Sequence, residues 1–169
     1  MMSEKKNTSQ VIEIPNPLRD KVPYDDSGVD VQQLKQAEEA VAALAETYLS
    51  WASRDIQSIR KVSAKVRAEA NWQSENVKQL FLLTHDLKGQ GGTFGYNLLS
   101  LIGDKLCRFI EESSSKKKMS TLDAQVIDLH VRALEIILND DLKSDGGEEG
   151  AMLLKGLEDV LQKALKSGQ

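Results

Sequence analysis

Residues 82–96 read Leu-Leu-Thr-His-Asp-Leu-Lys-Gly-Gln-Gly-Gly-Thr-Phe-Gly-Tyr, so a histidine at 85, a lysine at 88 and glycines at 89, 91, 92 and 95 share one short stretch. A free imidazole titrates at about pH 6.5, so near neutrality it holds a ring nitrogen able to attack an electrophile. The phosphorus of an acyl phosphate suits such a nucleophile. A phosphorylated imidazole remains a reactive donor, so the group can be received and passed on. The barrier to phosphoryl transfer is mostly one of positioning and charge. A lysine three residues further along a helix, with Cβ atoms about 5–6 Å apart, is placed to neutralise charge on the phosphoryl oxygens.

The spacing puts these residues on a helix. At about 100° per residue from His85, Leu80, Leu83, Leu87 and Phe94 fall within about 40° of the opposite direction. Phe81, Lys88, Gly89 and Gly92 fall within about 60° of the histidine. One face therefore reads as core, the other as a reactive side chain, a cation and bare backbone. Each glycine inside a helix costs about 1 kcal/mol relative to alanine, so this placement needs a reason. Gly89 and Gly92, one and two turns on, leave a flat surface over which a bulky partner can reach the imidazole. Phe81, one turn before, offers that partner an apolar contact or else packs into the bundle. Gly91 points to the core side, as close helix packing would require. Gly95 suits a C-terminal cap.

His85-Asp-Leu-Lys88-Gly89, followed by Phe94-Gly95, resembles the signature of histidine phosphotransfer (HPt) domains, His-x-Leu-Lys-Gly with a later apolar residue and glycine. The resemblance covers the whole signature, and the helical pattern of residues 30–169 is compatible with it. It implies His85 as phospho-acceptor and donor, Lys88 as its electrostatic partner, and Gly89 and Gly92 as docking surface. It also implies receiver domains of response regulators or hybrid histidine kinases as partners. In one respect the chain departs from the pattern. Many members carry a glutamine on the next helix that hydrogen-bonds near the histidine. Counting along the chain, that position holds Cys107, a weak donor and acceptor.

The 169 residues suffice for one domain with a proper core. With 40% apolar but only 5% aromatic residues, that core is built from Leu, Ile, Val and Ala, which favours helices. A net charge of −4 and a pI near 5.3 argue against a nucleic-acid footprint. The single cysteine allows no internal disulfide. The N-terminus does not read as a signal peptide, and no apolar run approaches the ~18 residues of a membrane span. A soluble, cytoplasmic protein is expected. No cofactor is implied and no metal-ligand cluster is evident. The divalent ion usual in phosphoryl transfer would belong to a partner's acidic pocket.

Residues 1–28 form a flexible or extended leader containing all three prolines, with a short extended piece at 11–15. From residue 29 a helical domain is predicted. Leu34, Ala37, Val41, Leu44, Tyr48, Ile56, Ile59, Val62 and Val66 keep a stripe at spacings of three and four. As one rod this would be about 60 Å, so a break is expected around residues 50–55, with Ser53 or Asp55 capping a second helix. Trp51 and Trp72 are read as packing residues near helix ends. Asn71 or Ser74 caps the His85 helix, which runs to about Thr93. Leu98, Leu99, Leu101, Ile102, Leu106, Phe109 and Ile110 mark the next helix. Residues 113–118 are a polar connection. Ser120 or Thr121, with Asp123 in the first turn, starts a helix carrying Val126, Leu129, Ala133, Ile136 and Ile137. His130 on it is read as a helix-boundary residue. A loop over 145–150 precedes a last amphipathic helix over 152–166. The fold class is all-α: an antiparallel four-helix bundle with additional N- and C-terminal helices.

Three functions compete. The first is a phosphorelay intermediate without ATP-binding or autokinase activity, since no Gly-rich nucleotide loop is present and little chain remains outside the bundle. The second is a non-catalytic helical adaptor that binds receiver or kinase domains, for which a His-Lys pair has no use. The third is the dimerising phosphoacceptor piece of a kinase. It fits His85-Asp86 but neither Lys88-Gly89 nor the extra helices. Cys107 has no activating neighbour in sequence and is not a candidate nucleophile.

Overall fold

The structure, a computed structural model, describes residues 30–167. The expected leader, including its extended piece at 11–15, lies outside them. The described residues fall into two units, 30–38 and 39–167. The described elements are α1 (Val31–Glu69), α2 (Glu75–Gly91), a 3₁₀ turn (Gly92–Phe94), α3 (Asn97–Ser113), α4 (Thr121–Asn139) and α5 (Gly147–Ser167). All are helical, and the described residues contain no strand. Successive helices pack on one another, α2 on α3, α3 on α4 and α4 on α5.

The expected break in α1 does not occur. Its 39 residues form one continuous helix. No proline interrupts it, and the apolar stripe runs through residues 50–55 as Tyr48, Ala52 and Ile56, all buried. Asp55 caps nothing there. It is half-buried, and burial together with the charge of Asp86 raises its pKa. The stripe is core only from Tyr48 onward. Leu34, Val41 and Leu44 are exposed, and so is Trp51, which sits mid-helix rather than at an end. Trp72 does pack at a helix junction, edge-on to Phe109 with ring centroids 5.5 Å apart.

The remaining boundaries follow local chemistry. Ser74 caps α2 by accepting from the Val77 N–H at 3.3 Å. Ser120 and Asp123 form a reciprocal capping box at the start of α4. Asp123 is buried, and it also accepts from Trp72 Nε1. α2 stops at Gly91, a little short of Thr93, and tightens into the 3₁₀ turn. Gly95 then takes φ +81°, which favours glycine, and its N–H donates to the Gly92 carbonyl. The loop before α5 is shorter than expected, because the helix begins at Gly147 with Glu148 and Glu149 in its first turn, where the N-terminal dipole favours acid. Leu101, Leu129, Ile136 and Met152 face outward, which narrows the core stripes on α3, α4 and α5.

Both ends of α2 are tied down. At its start, Trp72 N–H donates to the Lys117 carbonyl at 3.2 Å and Met119 N–H to the Ala70 carbonyl at 2.9 Å, joining the α1–α2 and α3–α4 connections. At its end, Ser144 N–H donates to the Gly95 carbonyl and Leu98 N–H to the Ser144 carbonyl. There Tyr96 hydroxyl donates to Asp141, and the Lys143 ammonium lies 3.9 Å over the Tyr96 ring. Tyr48 of α1 stacks on Phe94 at 4.3 Å and tilts against Tyr96 at 5.5 Å. Burial leads the causes that raise the Tyr48 phenol to about 12. No helix among the described residues is long and apolar enough to cross a membrane.

Candidate functional site

His85 lies near the middle of α2, exposed. The buried residues of that helix are Val77, Leu80, Thr84, Leu87 and Gly91, at alternating spacings of three and four. Their mean direction is roughly 120° from His85, not the 180° that the leucines alone suggest. Thr84, fully buried, takes the place expected of Leu83, which is only half-buried. The rotation has a consequence for Lys88. It falls on the flank of the histidine that turns towards α3, while Gly89 and Leu82 fall on the opposite flank.

His85 opens onto a cleft of about 450 Å³ between α2 and α3, lined by Phe81, His85, Lys88, Asp104, Cys107, Arg108, Glu111 and Glu112. Phe81 is half-buried, and its ring stacks on the imidazole with centroids 5.9 Å apart and planes 27° from parallel. It joins the core, and it also makes one wall of the cleft.

Lys88 lines the same cleft as His85, but its ammonium is not idle. Nζ donates to Asp104 Oδ1 at 3.2 Å, and Asp104 Oδ2 accepts from Arg108 Nε at 2.8 Å. Burial pushes the Asp104 carboxyl up, yet the hydrogen bond from Lys88, then the charges of Arg108 and Lys88, outweigh it and hold the pKa below its ordinary value. Helix α3 grips Lys88 at two further points. Ser100 Oγ donates to the Lys88 carbonyl at 2.7 Å. A Cβ on Gly103 would lie 3.1 Å from Lys88 Cβ, tighter than an ordinary contact, so glycine eases the close approach of the two helices here.

The glycines divide as expected. A Cβ on Gly91 would meet Ser100 Oγ at 2.7 Å and the Tyr96 carbonyl at 3.0 Å, so Gly91 serves packing. Gly89 is exposed and a Cβ there would meet nothing within 4 Å. Gly92 is exposed too, and a Cβ there would meet Ser100 Oγ at 3.7 Å, an ordinary contact. Neither position is filled by the fold's own side chains.

Cys107 reaches the cleft from α3 as a buried thiol. Burial leads the causes that push it up to about 11, with Lys88 opposing and Glu111 and Asp104 adding. It stays protonated near neutrality and is no nucleophile. His130, expected at a helix boundary, is instead buried. Its Nδ1 lies 2.8 Å from the Val126 carbonyl, which fixes it as the donor there, while Nε2 has no partner among the described residues. Burial lowers its pKa; the Val126 carbonyl opposes this and the Lys105 charge adds to it. Among the described residues no group of His, Cys, Asp or Glu is placed to hold a metal.

Asp104, Arg108, Ser100 and Gly103 escaped the sequence reading. A signal was present. Once Cys107 is put in register with His85, Asp104 lies one turn before it and Glu111 one turn after, on the same face of α3. No family model, curated protein or solved structure matches the chain, so the reading of this site stands on its own geometry.

Proposed function

We propose that the chain is a phosphorelay intermediate of the histidine phosphotransfer kind, acting in the cytoplasm on an antiparallel four-helix bundle. His85 takes a phosphoryl group from the phospho-aspartate of a receiver domain and passes it to another receiver. The unprotonated ring nitrogen attacks phosphorus, and the P–O bond to the aspartyl oxygen breaks as the P–N bond forms. The carboxylate leaves with the electron pair. Passage to the next aspartate reverses these steps. Lys88 stabilises charge on the phosphoryl oxygens, and Phe81, Gly89 and Gly92 form the surface that meets the receiver.

The observation that carries this reading is an exposed imidazole sharing one cleft with the Lys88 ammonium, beside glycines whose missing side chains nothing else replaces. A plain helical adaptor would gain about 0.4–1 kcal/mol from alanine at an exposed helical glycine such as Gly89. Incubation with a phosphorylated receiver domain tests the proposal. Wild type takes up acid-labile, base-stable label and His85→Gln takes up none. Equal labelling of the two removes His85 from the role.

A further inference from the structure

We infer that Asp104 is a positioning residue that competes with a phosphoryl group on His85 for the Lys88 ammonium, and so tilts the site towards release of that group. This rests on His85 being the acceptor. Three contacts carry it. Asp104 Oδ1 holds Lys88 Nζ at 3.2 Å, both residues line the cleft onto which His85 opens, and Asp104 Oδ2 keeps Arg108 Nε at 2.8 Å. A phosphoryl group arriving on the imidazole brings about two negative charges and three strong acceptors. Lys88 then has two anionic claimants on one flexible four-carbon stem. It can leave Asp104 without stranding a buried charge, because Arg108, one turn further along α3, remains paired with the same carboxylate. Lys88 and Asp104 keep 27% and 34% of their side-chain surface, so water screens the pair and the exchange is cheap in either direction. A fully buried pair would lock the lysine, and a free lysine would hold the phosphoryl group more firmly.

The test uses the full-length chain and phosphoramidate, a small donor that loses ammonia as its P–N bond breaks and its phosphoryl group forms a new P–N bond to an accessible imidazole. The label is mapped to His85. The ³¹P resonance of phospho-His85 is then followed against pH in wild type, Asp104→Asn, Lys88→Ala and the double variant, with melting curves confirming that each is folded. In Asp104→Asn the phosphoryl group binds its proton about two- to fivefold more weakly than in wild type, a downward shift of about 0.3–0.7 pH unit. In the Lys88→Ala background the same substitution gives less than half that shift, because Asp104 acts through the lysine. An equal shift in both backgrounds overturns the proposal, since Asp104 would then act by its own charge. No shift in either overturns it as well, while labelled wild type would leave His85 as the acceptor. If wild type carries no label on His85, the acceptor assignment itself falls and the inference falls with it.

Discussion

Replacing Gly89 by leucine separates folding from docking. The position is exposed, lies in the last turns of α2, and has open space where a Cβ would be. The substitution should therefore stabilise the fold, by about 0.4–1 kcal/mol from the lost freedom of the unfolded chain. For a chain of this size that is a rise in Tm of roughly 1–4 °C. Gly91, two residues on, gives the control of opposite sign. Alanine there would press on Ser100 Oγ at 2.7 Å and on the Tyr96 backbone carbonyl at 3.0 Å. The hydroxyl can rotate only by giving up its bond to the Lys88 carbonyl, and the backbone carbonyl can move only with the start of α3. Overpacking of this kind costs about 1–3 kcal/mol. Thermal melts and receiver-dependent labelling of His85 should thus diverge. Gly89→Leu melts higher yet accepts label at least about tenfold more slowly, a loss near 1.4 kcal/mol of docking energy. Gly91→Ala melts lower. If Gly89→Leu is stabilised and accepts label at the wild-type rate, a receiver does not land on this face, and the glycine has no docking role.

Two further outcomes follow from groups already placed. Lys88→Ala should slow transfer to His85 by roughly tenfold or more while leaving the helical circular dichroism intact, since one charge-assisted contact to the phosphoryl oxygens is lost; an unchanged rate would leave the lysine with only its Asp104 contact to explain it. His130 supplies a pH dependence. Its folded pKa is depressed, so below about pH 6.5 the unfolded chain binds a proton that the buried ring refuses. The stability this ring contributes is complete above that pH and is lost as pH falls towards the folded value. Urea unfolding between pH 7.5 and 5.5 should show His130→Phe with a shallower acid loss than wild type; equal slopes would mean that the ring is protonated in the folded state.

Much of the fold is legible in residue spacing because burial follows the helical period. Leu80, Leu87, Leu99, Ile102, Leu106, Val126 and Ile137 are core where the stripes place them, and Ser74, Ser120 with Asp123, and Gly95 end or start helices as their side chains or backbone freedom require. The errors share a cause. Periodicity states which residues align, not how many helices lie alongside. Leu34, Val41 and Leu44 continue the stripe of Tyr48 and Ile56 in register, yet they are exposed. Polar residues mislead in the other direction. His130 reads from its chemistry as a boundary group, while it is enclosed in the core. At the site, His85, Lys88, Gly89 and Gly92 lie on one element, and their relation is fixed by the helical repeat. Asp104 and Arg108 belong to a second helix, and no local pattern states which turn of α3 faces which turn of α2. Gly103 lies where the two helices approach closely, a Cβ there standing 3.1 Å from Lys88 Cβ.

The same register determines what in the site can move. Five buried residues hold one face of α2, and backbone hydrogen bonds join the connections at both of its ends to neighbouring connections. The imidazole therefore stands on a fixed support, and under the proposed function an incoming phosphoryl group would meet it without rearrangement of the helix. That suits a reaction whose barrier is positional, because ordering a loop at the moment of reaction would cost about 1–2 kcal/mol of backbone entropy per residue. The freedom that remains near the ring is in side chains, and Lys88 carries a long stem held at its backbone by Ser100 and at its tip by a solvent-screened carboxylate. A relay component must bind its phosphoryl group well enough to receive it and poorly enough to give it up. Under the proposed relay function, a rigid nucleophile with an exchangeable cation would meet both conditions, and the balance between them would lie in the α3 residues that share the lysine.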